Sequence, residues 1–156
     1  MRVILERSNL LKSLNHVHRV VERRNTIPIL SNVLLVAQGA SLEMKATDLD
    51  LEVTEATAAS VEQGGATTVP AHLLYDIVRK LPEGAEVMLK TDESGNAMSV
   101  VSGRSSFRLQ CLPQSDFPEL SAGSFSHIFR LDSQSLKALI EKTQFAISTE
   151  ETRYYL

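Results

Sequence analysis

Asp48 and Asp50 are the acidic pair whose spacing could bind a divalent cation in a nuclease or a transferase. Carboxylate oxygens are the ligands that Mg²⁺ prefers. The two residues flank Leu49 in a predicted tight turn, however, where Asp is favoured because its side chain accepts backbone N–H groups. The sequence therefore favours a turn, and we expect no catalytic metal at this position.

The histidines, glycines and serines form no pattern typical of an active site. His16 and His18 lie two positions apart on a predicted helix, so they point to different faces and cannot share a metal. Gly64 and Gly65 precede a predicted strand, whereas a phosphate-binding loop leads into a helix that starts with Lys and Ser or Thr. Neither His72 nor any other histidine is paired with an acid so as to activate a serine. We predict no catalytic residue, no metal and no cofactor.

Binding of a polyanion is the chemistry that the sequence favours. A helix is predicted from an N-cap at Ser8 to Arg23 or Arg24. One of its faces is apolar, and the opposite face carries cations and an imidazole without any acidic residue. An ordinary solvated helix face is the alternative. The apolar face comprises Leu10, Leu14, Val17 and Val21, and the cationic face comprises Lys12, His16, Arg19 and Arg23.

The charge is unevenly distributed along the chain. The net charge is −3, which argues against a general nucleic-acid-binding protein. Residues 1–24 nevertheless carry six basic and two acidic side chains, while the remaining residues carry ten basic and seventeen acidic ones. Such a distribution attracts a polyanion to one surface and repels it from the others.

The elements that must position these residues repeat along the sequence. Short apolar runs lead into helical stripes that begin at Leu11, Leu74 and Leu136, with offsets of 63 and 62 residues. Alternating runs joined by tight turns follow the first two stripes. We predict an α+β fold of two β-α-β-β-β units, about 1–60 and 65–112, with helices on one face of antiparallel sheets.

These units imply one domain and part of another. Residues 1–120 are expected to form the first domain, and the irregular stretch 113–123 is expected to act as a linker. Residues 124–156 are expected to start a second, incomplete domain with a strand at 128–131. Helix two is predicted from Ala71 to Leu81, and helix three from Ser133 to Ile147. Helix two is expected to expose His72, Tyr75, Asp76, Arg79 and Lys80, and helix three to bury Leu136, Leu139 and Ile140.

The composition points to the cytoplasm. Cys111 is the single cysteine, so no internal disulfide can form, and its strand pattern predicts a buried, inert thiol. No apolar run is long enough to span a membrane, and the N-terminus lacks the apolar core of a signal peptide.

Several short motifs together resemble one family, the bacterial β sliding clamps, which are processivity subunits of the replicative DNA polymerase. The resemblance covers the whole chain. It implies a clamp domain within a homodimeric ring that encircles double-stranded DNA and slides without sequence specificity. The implied partners are the polymerase catalytic subunit, the clamp loader and other proteins with a clamp-binding motif. A stand-alone basic-helix DNA-binding module is the alternative. The matching motifs are residues 26–32, 46–49, 65–71, 81–86, 102–105, 116–118 and 153–156.

The resemblance also implies roles for individual residues. Arg104 and Phe107 match the edge that pairs with the partner subunit, where Ser106 replaces a common basic residue. Leu156 matches the rim of a peptide-docking cleft. Glu150 and His72 depart from the family, standing where a neutral amide and a fixed cation are common. Arg24, Arg153, Tyr154 and Tyr155 match DNA-facing positions of the family. The other expected DNA-binding residues come from the cationic helix faces, namely Lys12, Arg19, Arg23 and Arg79.

Overall fold

A computed structural model describes residues 1–22, 26–120 and 126–148 of the chain. The chain divides into two compact units, Met1–Leu120 and Ser121–Leu156. The strands of unit one are β1 (Arg2–Glu6), β2 (Asn32–Gln38), β3 (Ser41–Thr47), β4 (Glu52–Ala58), β5 (Ser60–Gln63), β6 (Gly65–Pro70), β7 (Glu86–Thr91), β8 (Ala97–Ser102) and β9 (Ser105–Gln110). Its helices are α1 (Arg7–Val17) and α2 (Ala71–Lys80), and unit two contains α3 (Ser133–Thr143).

Unit one contains two antiparallel sheets that exchange strands. The first sheet has the order β5-β1-β7-β8-β9 and the second β4-β3-β2-β6. Strand β1 therefore pairs with β7 of the following repeat, with Val3 opposite Leu89. Strand β6 likewise returns to β2 of the preceding repeat, with Val33 opposite Val69. The predicted α+β fold is confirmed, with β5 as an additional short strand, and each repeat completes the sheet of the other.

Both helices of unit one pack into the same hydrophobic core. The apolar stripe of α1 and the following turn, formed by Leu10, Leu14, Val17 and Val21, is buried as predicted. Leu74 and Val78 of α2 belong to the same core cluster. On the strands, period-two alternation buries every second residue, as in β3 with Leu42, Met44 and Ala46.

The first helix differs from its prediction at both ends. It begins at Arg7, and the Ser8 hydroxyl donates to the Glu6 carboxylate instead of capping the helix. It ends at Val17, so Arg19 lies in the turn that follows. The β-branched residues Val20 and Val21 are weak helix formers, and beyond the helix end the Val21 carbonyl oxygen is bound by His72 of α2.

The predicted linker is partly ordered against unit one. Leu112 forms a β-bridge with Thr68, and Gln114–Asp116 is a short 3₁₀ helix. The Phe117 side chain is buried. Periodicity does not reveal such a segment, because a single apolar anchor is enough to hold it.

Unit two differs from prediction as well. Residues 128–131 form no strand, and α3 starts after Asp132, whose carboxylate accepts the Ser135 backbone N–H. Leu136, Leu139 and Ile140 are exposed and not buried. The reason is that the described part of this unit, residues 126–148, contains no strand for the helix to pack against.

Candidate nucleic-acid interface

Helices α1 and α2 lie side by side in opposite directions. At one end the Arg7 guanidinium donates to the carbonyl oxygens of Val78 and Arg79, at 3.1 and 2.7 Å. These carbonyls belong to the last turn of α2, where helical partners are lacking and the helix dipole favours a cation. At the other end His18, just after α1, stacks on Tyr75 of α2. The two helices therefore present one continuous surface.

Two cations of this surface form no ion pair within the described residues. Lys12 on α1 and Arg19 in the following turn are both exposed, while every salt bridge identified in the structure involves other residues. A groove of ≈ 450 Å³ lies between the two helices, beside Lys12. Its lining is Arg7, Ser8, Leu11, Lys12, Asn15, Tyr75 and Arg79. Point charges of this kind bind phosphate groups without reading sequence.

An acid from another element interrupts the cationic surface at His16. The His16 Nδ1 lies 2.7 Å from the Glu55 carboxylate of β4. The stripe on α1 contains no acidic residue, as the sequence indicated, but the neighbouring strand supplies one. His16 is therefore a weaker candidate for phosphate binding than Lys12.

The outer face of α2 is less cationic than the sequence suggested. Arg79 pairs with Asp76 at 3.2 Å and lies over the Tyr75 ring. His72 is half-buried and bonded to the Val21 carbonyl, so it does not face solvent as predicted. The physical reason is that α1 lies close by, so the His72 and Tyr75 rings pack between the two helices.

Six of the predicted site residues lie outside the described residues, together with Glu150. The structure therefore describes five of the predicted DNA-binding and interface residues, namely Lys12, Arg19, Arg79, Arg104 and Phe107. The six outside are Arg23, Arg24, Arg153, Tyr154, Tyr155 and Leu156.

A second candidate surface lies at the free edge of β9. This strand pairs with β8, and its other edge has no partner strand within the described part of the chain. Phe107 on β9 and Leu73 on α2 are exposed, and both line a cavity of ≈ 240 Å³. Arg104 lies in the exposed turn before the strand. An open edge with apolar side chains is suited to pairing with another sheet.

The aspartates of the predicted turn and the single cysteine have structural roles. The Asp48 carboxylate accepts the backbone N–H groups of Asp50 and Leu51 at 3.0 and 2.7 Å, which confirms the predicted turn. No group of three His, Cys, Asp or Glu residues suited to a metal occurs among the described residues. Cys111 is buried, and burial raises the pKa of its thiol.

The fold and the two surfaces define a class of protein: a two-sheet α+β domain with a cationic helix layer and an open sheet edge. The family described as "DNA polymerase III beta subunit, N-terminal domain" matches residues 1–121. The chain belongs to this family.

Similar proteins agree in sequence and in structure. The beta sliding clamp of Caulobacter vibrioides is 52% identical over 156 residues, and that of Escherichia coli K12 is 42% identical over 157. A Bartonella birtlesii sliding clamp bound to griselimycin superposes with a TM-score of 0.92 at 62% identity, covering 99% of this chain and 41% of that chain. The chain spans 42% of the length of the curated relatives, which match it over 100% of its own length.

These matches favour a clamp domain over the alternative of a stand-alone basic-helix module.

Among the described residues, no helix is long and apolar enough to cross a membrane.

Proposed function

We propose that this chain serves as the N-terminal domain of a β sliding clamp. The complete protein forms a homodimeric ring that encircles double-stranded DNA and acts without catalysis of its own in the cytoplasm. The ring receives DNA from a clamp loader and tethers the polymerase catalytic subunit and other proteins that carry a clamp-binding motif. The observation that carries the proposal is the continuous α1–α2 surface with its two unpaired cations, Lys12 and Arg19.

The charge distribution supports sliding over tight binding. Lys12 and Arg19 are flexible point charges, and contacts between such side chains and phosphates carry no sequence information. Only a few contacts of this kind are available in the described residues. Each step along the duplex therefore breaks few contacts and costs little free energy. The excess of acidic residues beyond position 24 discourages DNA from binding elsewhere. Retention would then come from encirclement.

Further DNA contacts are proposed on the family resemblance. Arg23 and Arg24 follow the turn that carries Arg19, and Arg153, Tyr154 and Tyr155 match a family motif. Arg79 contributes less than Lys12 in this proposal, because Asp76 already neutralises it. Leu156 is proposed to line the rim of a cleft for partner peptides.

The β9 edge is the proposed dimer contact. Phe107 and Leu73 supply the apolar centre, and the strand supplies unpaired backbone groups for a sheet that continues into the partner. Arg104 lies at the rim of this contact. Ser106 is uncharged, so we expect fewer ion pairs here than in relatives with a basic residue at that position.

The decisive experiment compares retention on circular and linear DNA. The full-length protein is loaded onto nicked circular DNA by its loader, and its residence time is measured before and after the circle is linearised. Rapid loss on linearisation supports the clamp. Equal retention on both forms overturns it and favours a protein held by direct contacts.

A further inference from the structure

The turn that carries Arg19 is held in place by two imidazole rings. His18 Nδ1 lies 2.7 Å from the Leu14 carbonyl oxygen, and His72 Nε2 lies 2.7 Å from the Val21 carbonyl oxygen. Arg19 lies between these two points of attachment. One ring comes from the turn itself, whereas the other comes from the first turn of α2. The turn is therefore fixed to the neighbouring helix as well as to its own.

The hydrogen-bond partners determine the tautomer of each ring. A carbonyl oxygen can only accept, so the nitrogen facing it must carry the proton. His72 is accordingly protonated on Nε2. Its Nδ1 is buried and has no hydrogen-bond partner among the described residues. The single polar bond that the structure identifies for this ring is its donation to Val21.

Aromatic contacts surround the His72 ring. His18 stacks on Tyr75 with ring centroids 3.9 Å apart and an interplanar angle of 7°. The edge of His72 meets the His18 ring at 5.6 Å and 89°. In the orientation that the structure shows, Nε2 of His72 faces the Val21 carbonyl oxygen. Packing and hydrogen bonding agree on the same geometry.

We propose that His72 is a positioning residue for DNA binding, which holds the Arg19 turn on the duplex-facing surface through its bond to the Val21 carbonyl. This inference rests on the proposed function. It assigns His72 a role different from the direct cationic contact that its position in the family suggested. The imidazole acts as a hydrogen-bond donor to the protein backbone, and Arg19 provides the phosphate contact.

The test measures affinity for a linear duplex oligonucleotide at several salt concentrations, using the full-length protein. Loss of one phosphate contact reduces the slope of log K against log salt by about 0.9. We expect Arg19→Ala to produce this reduction. His72→Phe keeps a ring of similar shape but removes the donor, and it is expected to reduce the slope by a similar amount. Combining the two substitutions should cause little further change, since both remove the same contact.

Two matched variants separate positioning from packing. His72→Gln places an amide N–H₂ at about the reach of Nε2, and it is expected to restore the slope. His127→Phe makes the same change at an exposed histidine outside α1 and α2, and it is expected to leave the slope unchanged. An unchanged slope for His72→Phe overturns the inference, as does full additivity with Arg19→Ala. An unchanged slope for Arg19→Ala overturns it too, while the linearisation experiment still decides the clamp function.

A measurement on the unaltered protein covers the case in which His72→Phe fails to fold. Nitrogen-15 NMR of the imidazoles distinguishes the two neutral tautomers. We expect a proton on Nε2 of His72. A proton on Nδ1 alone would overturn the inference, because Nε2 could not then donate to Val21.

Discussion

The two repeats of unit one have the same order of elements but present different surfaces. In the first repeat, the exposed cations Lys12 and Arg19 form no ion pair within the described residues. In the second repeat, Arg79 is paired with Asp76, and the surface beside it is apolar around Phe107. A repeated fold therefore places equivalent surfaces, and individual side chains decide what each surface binds.

The largest expected effects test whether the two repeats share one core. Leu14 of α1 and Leu74 of α2 are both fully buried. Either substitution by Ala should lower the free energy of unfolding by about 3 kcal/mol, because each leaves a cavity. Chemical denaturation followed by circular dichroism measures this loss. Leu139→Ala is the matched control, since Leu139 is exposed on α3 and should change the value by less than about 0.5 kcal/mol. A loss confined to one repeat would contradict a common core.

The next largest effect is expected on dimer formation, which tests the role of the apolar β9 edge apart from that of the cationic surface. Phe107→Ala removes the exposed ring on β9, and truncation of an interface aromatic typically costs about 2 kcal/mol, or roughly thirty-fold in affinity. We expect the dimer of the full-length protein to weaken by that order in analytical ultracentrifugation. Ser60→Ala on the edge strand β5 is the matched control. Equal weakening by both variants would show that the β9 edge has no special role.

A smaller effect distinguishes free from paired cations. Lys12→Ala should reduce the slope of log K against log salt for duplex DNA by about 0.9, as expected for one phosphate contact. Arg79→Ala should reduce it less, because Asp76 competes for its charge. Fluorescence anisotropy at several salt concentrations measures both.

Lys90→Ala is the control for charge alone, since Lys90 is an exposed cation on β7, outside the helices. A larger reduction for Arg79→Ala than for Lys12→Ala would reverse the assignment of the two surfaces.

The smallest effect concerns the pH dependence of the second repeat. The pKa of Asp92 is lowered overall: partial burial opposes this, but the Ala97 backbone N–H, the Ser94 hydroxyl and the Arg108 guanidinium stabilise the carboxylate. A carboxyl whose folded pKa is lowered adds stability above its unfolded pKa and loses it as the pH falls through the folded pKa. Asp92→Asn should therefore be slightly destabilising at pH 7 and equal to the unaltered protein in strong acid. Thermal unfolding from neutral to acidic pH measures this, and a difference that grows on acidification would contradict it.

Much of the fold can be predicted from local patterns. Apolar residues spaced three and four apart predicted the buried stripe of α1, an apolar run predicted β2, and period-two alternation predicted β3. The turn at Asp48 followed from the chemistry of a short acidic side chain. These features depend on residues close in sequence, so one stretch of chain is enough to define them.

The sequence predictions were wrong where residues far apart in the chain determine the local structure. The first helix ends at Val17, and α2 lies beside the turn that follows it. His72 faces inward because this turn places the Val21 carbonyl oxygen within its reach. Phe117 is buried by contacts that its irregular surroundings do not reveal. In unit two, residues 128–131 have the composition of a strand, but no described residue pairs with them.

The repeated elements, the buried stripes and the segregation of positive charge near the N-terminus follow from the order of residues along the chain. The exchange of β1 and β6 between repeats, the contact of Glu55 with His16 and the bond of His72 to the Val21 carbonyl oxygen depend on tertiary packing. Periodicity and charge are properties of neighbouring residues. Strand exchange and cross-helix hydrogen bonds join residues far apart in the chain, and they form only when the whole core packs.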